Sequence, residues 1–303
     1  MPDLFKNALT LLEYDPNYMY DDDNQEMDDD EEEEGWGSDF DDGDEGRMED
    51  DDDRSWLVRR AAVKVIDSII KTRADFSRVI VEKYAMKLVE RFKERIDDVK
   101  CDLLEAFEEL LKKSVDTMPV SFEAELRSQT SMTRAKSYTG QINDFSTQII
   151  QQLTKQLKSK NLKVRIATLR TLSALSLSIQ FQLDSHFELI LPELENTMEE
   201  SQSFEPLLES LRILRRLFRS RPAGKQANFY AFAENIQGLL LFALNHDYSK
   251  VVSEGLRVTG SFLSTLREGA STIGPLLQPM TRDFYAAVIT KLSKVDIDQE
   301  VKT

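Results

Sequence analysis

Apolar residues recur along this chain at three- and four-residue steps, in blocks separated by polar turns. Val58, Ala62, Val65, Ile66 and Ile69 fall at such steps within Trp56–Arg73, which predicts one face of an α-helix. Ser55 stands just ahead of them, where its hydroxyl can accept an orphan backbone N–H of the first turn. Arg59 and Arg60 sit too early in the helix to gain from its macrodipole. They imply carboxylates nearby, and the densest acidic run of the chain lies immediately upstream. The same opening recurs. Val99-Lys100 precedes Leu104, Phe107 and Leu110, Val164-Arg165 precedes Leu169, Leu172 and Leu175, and Val251-Val252 precedes Leu256, Val258 and Leu263. Pro206-Leu207 fits the frame without the basic residue, and Val301-Lys302 opens one more. Counted from Val58, the successive spacings are 41, 65, 42, 45 and 50 residues. A period in the forties, with two amphipathic helices per unit, is the mark of HEAT or armadillo-type repeats. The expected fold is all-α: an α-solenoid of helical hairpins running as one segment over residues 1–303.

Taken in order, Leu4–Tyr14 reads as a first helix, with Trp56–Arg73 as its partner. Between them Asp15–Arg54 forms a loop of 40 residues. Closing it in place of a two-residue turn costs only about 2.7 kcal/mol by the logarithmic scaling of loop entropy. Its low apolar content and like charge predict a disordered acidic insertion. Phe76–Phe92 follows, with Val79, Ile80, Tyr84, Leu88 and Val89 expected inward and Ile96–Lys113 as its partner. Residues 114–137, with Pro119 and scattered Ser and Thr, read as a second, irregular insertion that accounts for the 65-residue spacing. Gln141–Leu157 resumes the pattern. Phe181–Met198 pairs with Phe204–Phe218, Phe229–Leu244 with Lys250–Leu266, and Leu276–Leu292 with a helix starting at Ile297. The first helix lacks a preceding neighbour and the last is cut off at Thr303, so the expectation is an internal piece of a longer protein.

Charge changes this picture in one place. The net charge is −16, but residues 21–53 hold 21 Asp or Glu and one Arg, a net of −20. The remainder is therefore +4, nearly neutral. A single Cys101 excludes an intramolecular disulfide and fits a reducing compartment. The longest apolar run, Gly238–Leu244, is far too short to cross a bilayer, and no membrane partner is expected.

Candidate chemistry is sparse. Asp39, Asp41, Asp42, Asp44 and Glu45 suggest calcium, but an EF-hand loop needs Gly at its sixth position, where Asp44 stands. The tract reads as solvated, or as an electrostatic decoy, and Ser38 beside Asp39 and Asp41 would suit an acidophilic kinase. Arg212, Arg215, Arg216 and Arg219 share a helix face, with Arg221 beyond. Lys155, Lys158, Lys160, Lys163 and Arg165 crowd the turn before another second helix. Both clusters read either as solvated faces or as contact surfaces for an acidic partner or the chain's own tract. No aromatic residues interleave with them, which disfavours nucleic acid. His186 and His246 have no ligand-spaced companions and read as surface residues. Cys101 reads as a small packed residue. With no Gly-rich phosphate loop and no Gly-x-Ser-x-Gly, neither an enzyme, a cofactor, a metal site nor a small-molecule substrate is expected.

The wording of the sequence adds a resemblance. Tyr14-Asp15-Pro16-Asn17-Tyr18, then Tyr20-Asp21-Asp22 and the acidic tract, resembles the cullin-associated, neddylation-dissociated (CAND) family, also called TBP-interacting protein. Ser55-Trp56 with Val58-Arg59-Arg60-Ala61-Ala62 and Lys64 is similar to the helix that follows the tract there. So are Arg91-Phe92-Lys93-Glu94-Arg95 with Val99-Lys100 and Asp102, and Asp296 through Lys302. The resemblance implies a HEAT-repeat clamp that wraps an unmodified cullin and RING subunit and competes with the substrate-receptor adaptor. It would act as a non-catalytic exchange factor for ubiquitin ligases in cytoplasm and nucleus. A HEAT-type nuclear transport receptor and a phosphatase-type scaffold are the alternatives.

Overall fold

Helix follows helix through the computed structural model, which describes residues 2–14, 54–116, 142–179, 186–200, 203–219, 230–268, 270–293 and 301. The acidic tract and most of the second expected insertion lie outside those residues, as does the helix expected from Ile297 apart from Val301, which is buried. The chain divides into two units, residues 1–66 and 67–303, where the sequence pattern suggested a single segment.

In the first unit, α1 (Pro2–Leu12) buries Phe5, Ala8, Leu9 and Leu12. Helix α2 (Ser55–Thr72) begins and ends one residue ahead of the expected Trp56–Arg73, and its inward face is turned from the expected one. Ala62, Val63 and Ile66 are buried, whereas Val58 and Val65 are 37% and 38% exposed. The difference comes from Arg59, which is itself buried. Its guanidinium donates to the carbonyl of Tyr14 at 3.2 Å and to Ser55 Oγ at 2.7 Å. A long stem can lie in an apolar face while its head finds acceptors. The Ser55 hydroxyl thus accepts from a side chain of its own helix.

The second unit holds the repeats. Helices α3 (Ser77–Glu90) and α4 (Asp97–Asp116), α5 (Ser146–Leu157) and α6 (Leu162–Ser178), α7 (Phe187–Glu200) and α8 (Phe204–Arg219), and α9 (Ala233–Asn245) and α10 (Ser249–Glu268) form four hairpins, followed by α11 (Ala270–Leu292). Helices α4, α6, α8 and α10 stack side by side in one row, while α3, α5 and α7 follow one another in a second layer. This is an α-solenoid. Helix α4 runs three residues further than expected, into the predicted insertion. Helix α11 starts six residues earlier, carrying Pro275 and Pro279 inside it.

The stack is continuous across the 65-residue spacing. Thr171 Oγ1 donates to the carbonyl of Leu104 at 3.1 Å, and Ser178 Oγ to that of Leu111 at 3.2 Å, so α4 and α6 touch along their lengths. Helix α6 lies between α4 and α8 and is buried over most of its surface from Val164 to Ser178. A helix in that position is apolar or small over most of its surface, and its charged residues, Lys163, Arg165 and Arg170, stay at least partly exposed. Its hydroxyls are accommodated by bonding back to their own helix, as Thr168 does to Val164 at 2.7 Å and Thr171 to Ala167 at 2.9 Å. Further along, Phe262 lies between Phe218 and Phe284, with ring centroids at 5.1 and 6.4 Å. That chain of aromatic contacts ties α8, α10 and α11 into one core.

In α3 the buried set is Ile80, Val81, Ala85, Leu88 and Val89; Val79 and Tyr84, expected inward, are only partly covered. No described helix is long and apolar enough to cross a membrane.

Candidate interaction surface on the second helices

The repeat period places like residues in register on successive second helices. Arg170, Arg212 and Arg257 are separated by 42 and 45 residues, and Glu209 and Glu254 by 45, the same steps as the helices themselves. On the stacked row of α6, α8 and α10 this spacing becomes a ladder of ion pairs. Arg170 Nη2 lies 2.8 Å from Glu205 Oε1, and its Nε lies 3.8 Å from Glu209 Oε1. Arg212 Nη1 meets the same Glu209 oxygen at 2.7 Å. One repeat on, Arg215 Nε stands 3.0 Å from Glu254 Oε1, and Arg257 Nη1 stands 3.5 Å from Glu254 Oε2. Glu209 and Glu254 are buried, 8% and 5% exposed, which a carboxylate tolerates only when it is paired.

Arg216 takes a different course. Its Nη1 donates to the carbonyl of Ser173 at 3.0 Å and contacts Ser173 Oγ, binding α8 to α6. Burial holds its guanidinium below the usual arginine range. The charges of Arg215 and Arg212 add to that, and those of Glu209 and Glu108 oppose it. It remains a cation at any physiological pH.

These side chains border a cleft of about 350 Å³ between α4, α6 and α8. Lys112, Arg170, Arg212, Arg215 and Arg216 line it against two carboxylates, Glu108 and Glu209, with Leu177 and Ala174 at its apolar side. Lys112 is paired to Glu108 at 2.7 Å. Of the cationic cluster expected from sequence, Arg212, Arg215 and Arg216 therefore converge; the side chain of Arg219, like Arg221, lies outside the described residues. Arg170 and Lys112 were missed because they sit on other helices, although the 42-residue step from Arg170 to Arg212 carries the signal.

The lysine cluster is elsewhere. Lys155, Lys158, Lys160 and Lys163 are exposed at the turn between α5 and α6, and Lys158 Nζ lies 3.5 Å from Glu193 Oε1. Asn161 caps α6 in the middle of them, accepting from the backbone N–H of Lys163 at 2.9 Å. In the first unit, Leu4, Leu11, Leu57, Val58 and Val65 border an apolar groove of about 410 Å³.

The remaining candidates carry no visible chemistry. The Cys101 thiol is pushed up to about 11, by burial and then by Glu105, Asp97, Asp98 and Asp102, so it is not a ready nucleophile. His186, expected at the surface, is buried at the start of α7, and burial lowers its pKa below the ordinary histidine value. The correction is physical: Phe187 beside it is a core residue stacked with Phe232, and carries its neighbour inward. His246 sits in a turn, where Nδ1 accepts from the backbone N–H of Tyr248 at 3.0 Å.

Comparison with known proteins gives a consistent result. Residues 181–303 match the family described as CAND1-like, TPR repeats. Cullin-associated NEDD8-dissociated protein 1 of Arabidopsis thaliana is 27% identical over 250 residues, which is 82% of this chain and 20% of that protein. Cullin-associated NEDD8-dissociated protein 2 of Mus musculus is 28% identical over 313 residues, 100% of this chain and 24% of that protein. The chain thus spans about a fifth to a quarter of the length of the relatives it matches. Among solved structures, an engineered protein superposes with a TM-score of 0.52 at 16% identity, covering 81% of this chain and 86% of that one, a likeness of fold alone.

Proposed function

We propose, from its similarity to CAND-family proteins, that this chain is a non-catalytic scaffold segment acting on cullin–RING ubiquitin ligases. It belongs to a protein that binds the unmodified cullin and RING core and regulates assembly with substrate-receptor adaptors, in the cytoplasm and nucleus. The observation that carries this reading is the unbroken row of second helices from α4 to α10, in a chain whose relatives are named for cullin association. Successive hairpins stack on one another, so small rotations at successive interfaces add up to a large change in span. A partner of several subunits is embraced by such an adjustment, and no step of bond chemistry is needed. The work of binding falls to surface charge and exposed apolar faces; the interior holds the repeats together.

The experiment is affinity capture by the native protein, offered an unmodified cullin–RING complex and, separately, a small nuclear GTPase. Retention of the cullin complex alone supports the reading. Retention of the GTPase alone replaces it with a nuclear transport receptor.

A further inference from the structure

The ladder of ion pairs does not use up the positive charge of the second-helix row. Around the cleft between α4, α6 and α8 stand Lys112, Arg170, Arg212, Arg215 and Arg216; Arg257 stands one repeat on. Among the described residues the carboxylates that face them are Glu108, Glu205, Glu209 and Glu254, so there six cations meet four anions. Glu209 is shared by Arg170 and Arg212, and Glu254 by Arg215 and Arg257. Where two guanidinium groups share one carboxylate, each keeps donors that a second anion can take. Arg170 and Arg212 point such donors outward, their side chains being 42% and 46% exposed.

We propose that this cleft is a binding site for an acidic polypeptide segment, whose Asp or Glu side chains enter between Arg170, Arg212 and Arg216. A planar guanidinium fork is suited to a carboxylate, which it grips with two parallel hydrogen bonds. The mutual repulsion of Arg212, Arg215 and Arg216 is relieved by an incoming negative charge. The cleft is of a size to hold one or two side chains. Alanine and leucine form its apolar side, with no aromatic platform on which a nucleic-acid base could stack. Charge and cavity carry this inference without reference to cullins, so it stands or falls apart from the function proposed above.

The test is fluorescence anisotropy with a labelled hexaglutamate peptide. It is run on the whole chain and on a whole chain with the carboxylates of residues 21–53 replaced by amides, so that the tethered acidic tract cannot mask the site. Saturable binding to at least one of the two is expected. Arg212→Gln should weaken it about tenfold, the scale of one charge-assisted fork. Glu209→Gln, which removes the carboxylate that competes with the ligand, should tighten it severalfold. Lys160→Gln, which removes the same unit of charge at a distant turn, should change it less than about twofold. Circular dichroism confirms that each variant is folded. The proposal is overturned by absence of saturable binding to both chains, by equal effects of Arg212→Gln and Lys160→Gln, or by displacement of the peptide at lower concentration by single-stranded DNA.

Discussion

Asn161 reaches from one hairpin to the next: its side-chain nitrogen donates to Asp97 Oδ2 at 2.7 Å, while its side-chain oxygen caps α6. A single amide thus closes an orphan backbone donor and fastens two repeats that are 64 residues apart in sequence. Asn161→Ala loses both bonds and should destabilise the protein by about 1–2 kcal/mol, read by urea denaturation. Asn161→Asp keeps the cap but sets a carboxylate against Asp97. It should retain less stability at pH 7 than at pH 4, where one carboxyl can carry a proton, and a pH-independent loss would refute the inter-repeat role.

Glycines in the last full hairpin differ by position. An added methyl group at Gly238 in α9 or Gly260 in α10 meets nothing within 4 Å, whereas at Gly255 it would meet Ala243 Cβ at 3.2 Å. Gly238→Ala and Gly260→Ala should each raise stability by about 0.5–1 kcal/mol through helix propensity. Gly255→Ala should forfeit that gain, because it separates two helices in contact. Thermal unfolding of the three variants reads the contrast.

The thiol of Cys101 should behave as half-buried and close to several carboxylates. With its pKa near 11 against an ordinary 9.0, the thiolate fraction at neutral pH falls about a hundredfold. Alkylation by iodoacetamide at pH 7.5 should therefore lag far behind that of a free thiol and accelerate steadily towards pH 11. Rapid alkylation at pH 7.5 would contradict this and reveal a nucleophile.

His186 gives a pH dependence of known sign. Its folded pKa lies below 6.5, so the unfolded chain binds the proton more readily. The neutral imidazole therefore contributes stability that is present above pH 6.5 and is lost as the pH falls below it. His186→Gln should flatten the stability profile between pH 7.5 and 5.5 relative to the parent; identical slopes would contradict the assignment.

Much of the architecture was legible in the sequence because a repeat must show the same face again and again. The Val99, Val164 and Val251 openings all lie buried at the starts of second helices, and α4, α8 and α10 fall within three residues of their expected bounds. What was not legible follows from two physical facts. Periodicity identifies an apolar stripe but not the flank that is finally covered, so Val58 and Val65 were assigned inward although Arg59 and Val63 took their place. A cluster read along one helix also cannot show what the neighbouring helix brings. Arg212, Arg215 and Arg216 read as a cationic face, yet Arg170, Lys112 and the shared carboxylates Glu209 and Glu254 define the surface.

The role proposed for this chain is to serve a scaffold that recognises the cullin core in its unmodified state. The direct measurement is a titration of the native protein against one cullin–RING complex in two forms, bare and carrying NEDD8. Tight binding to the bare complex and a loss of at least tenfold on modification are expected. Equal affinity for the two forms, or no binding to either, would contradict it.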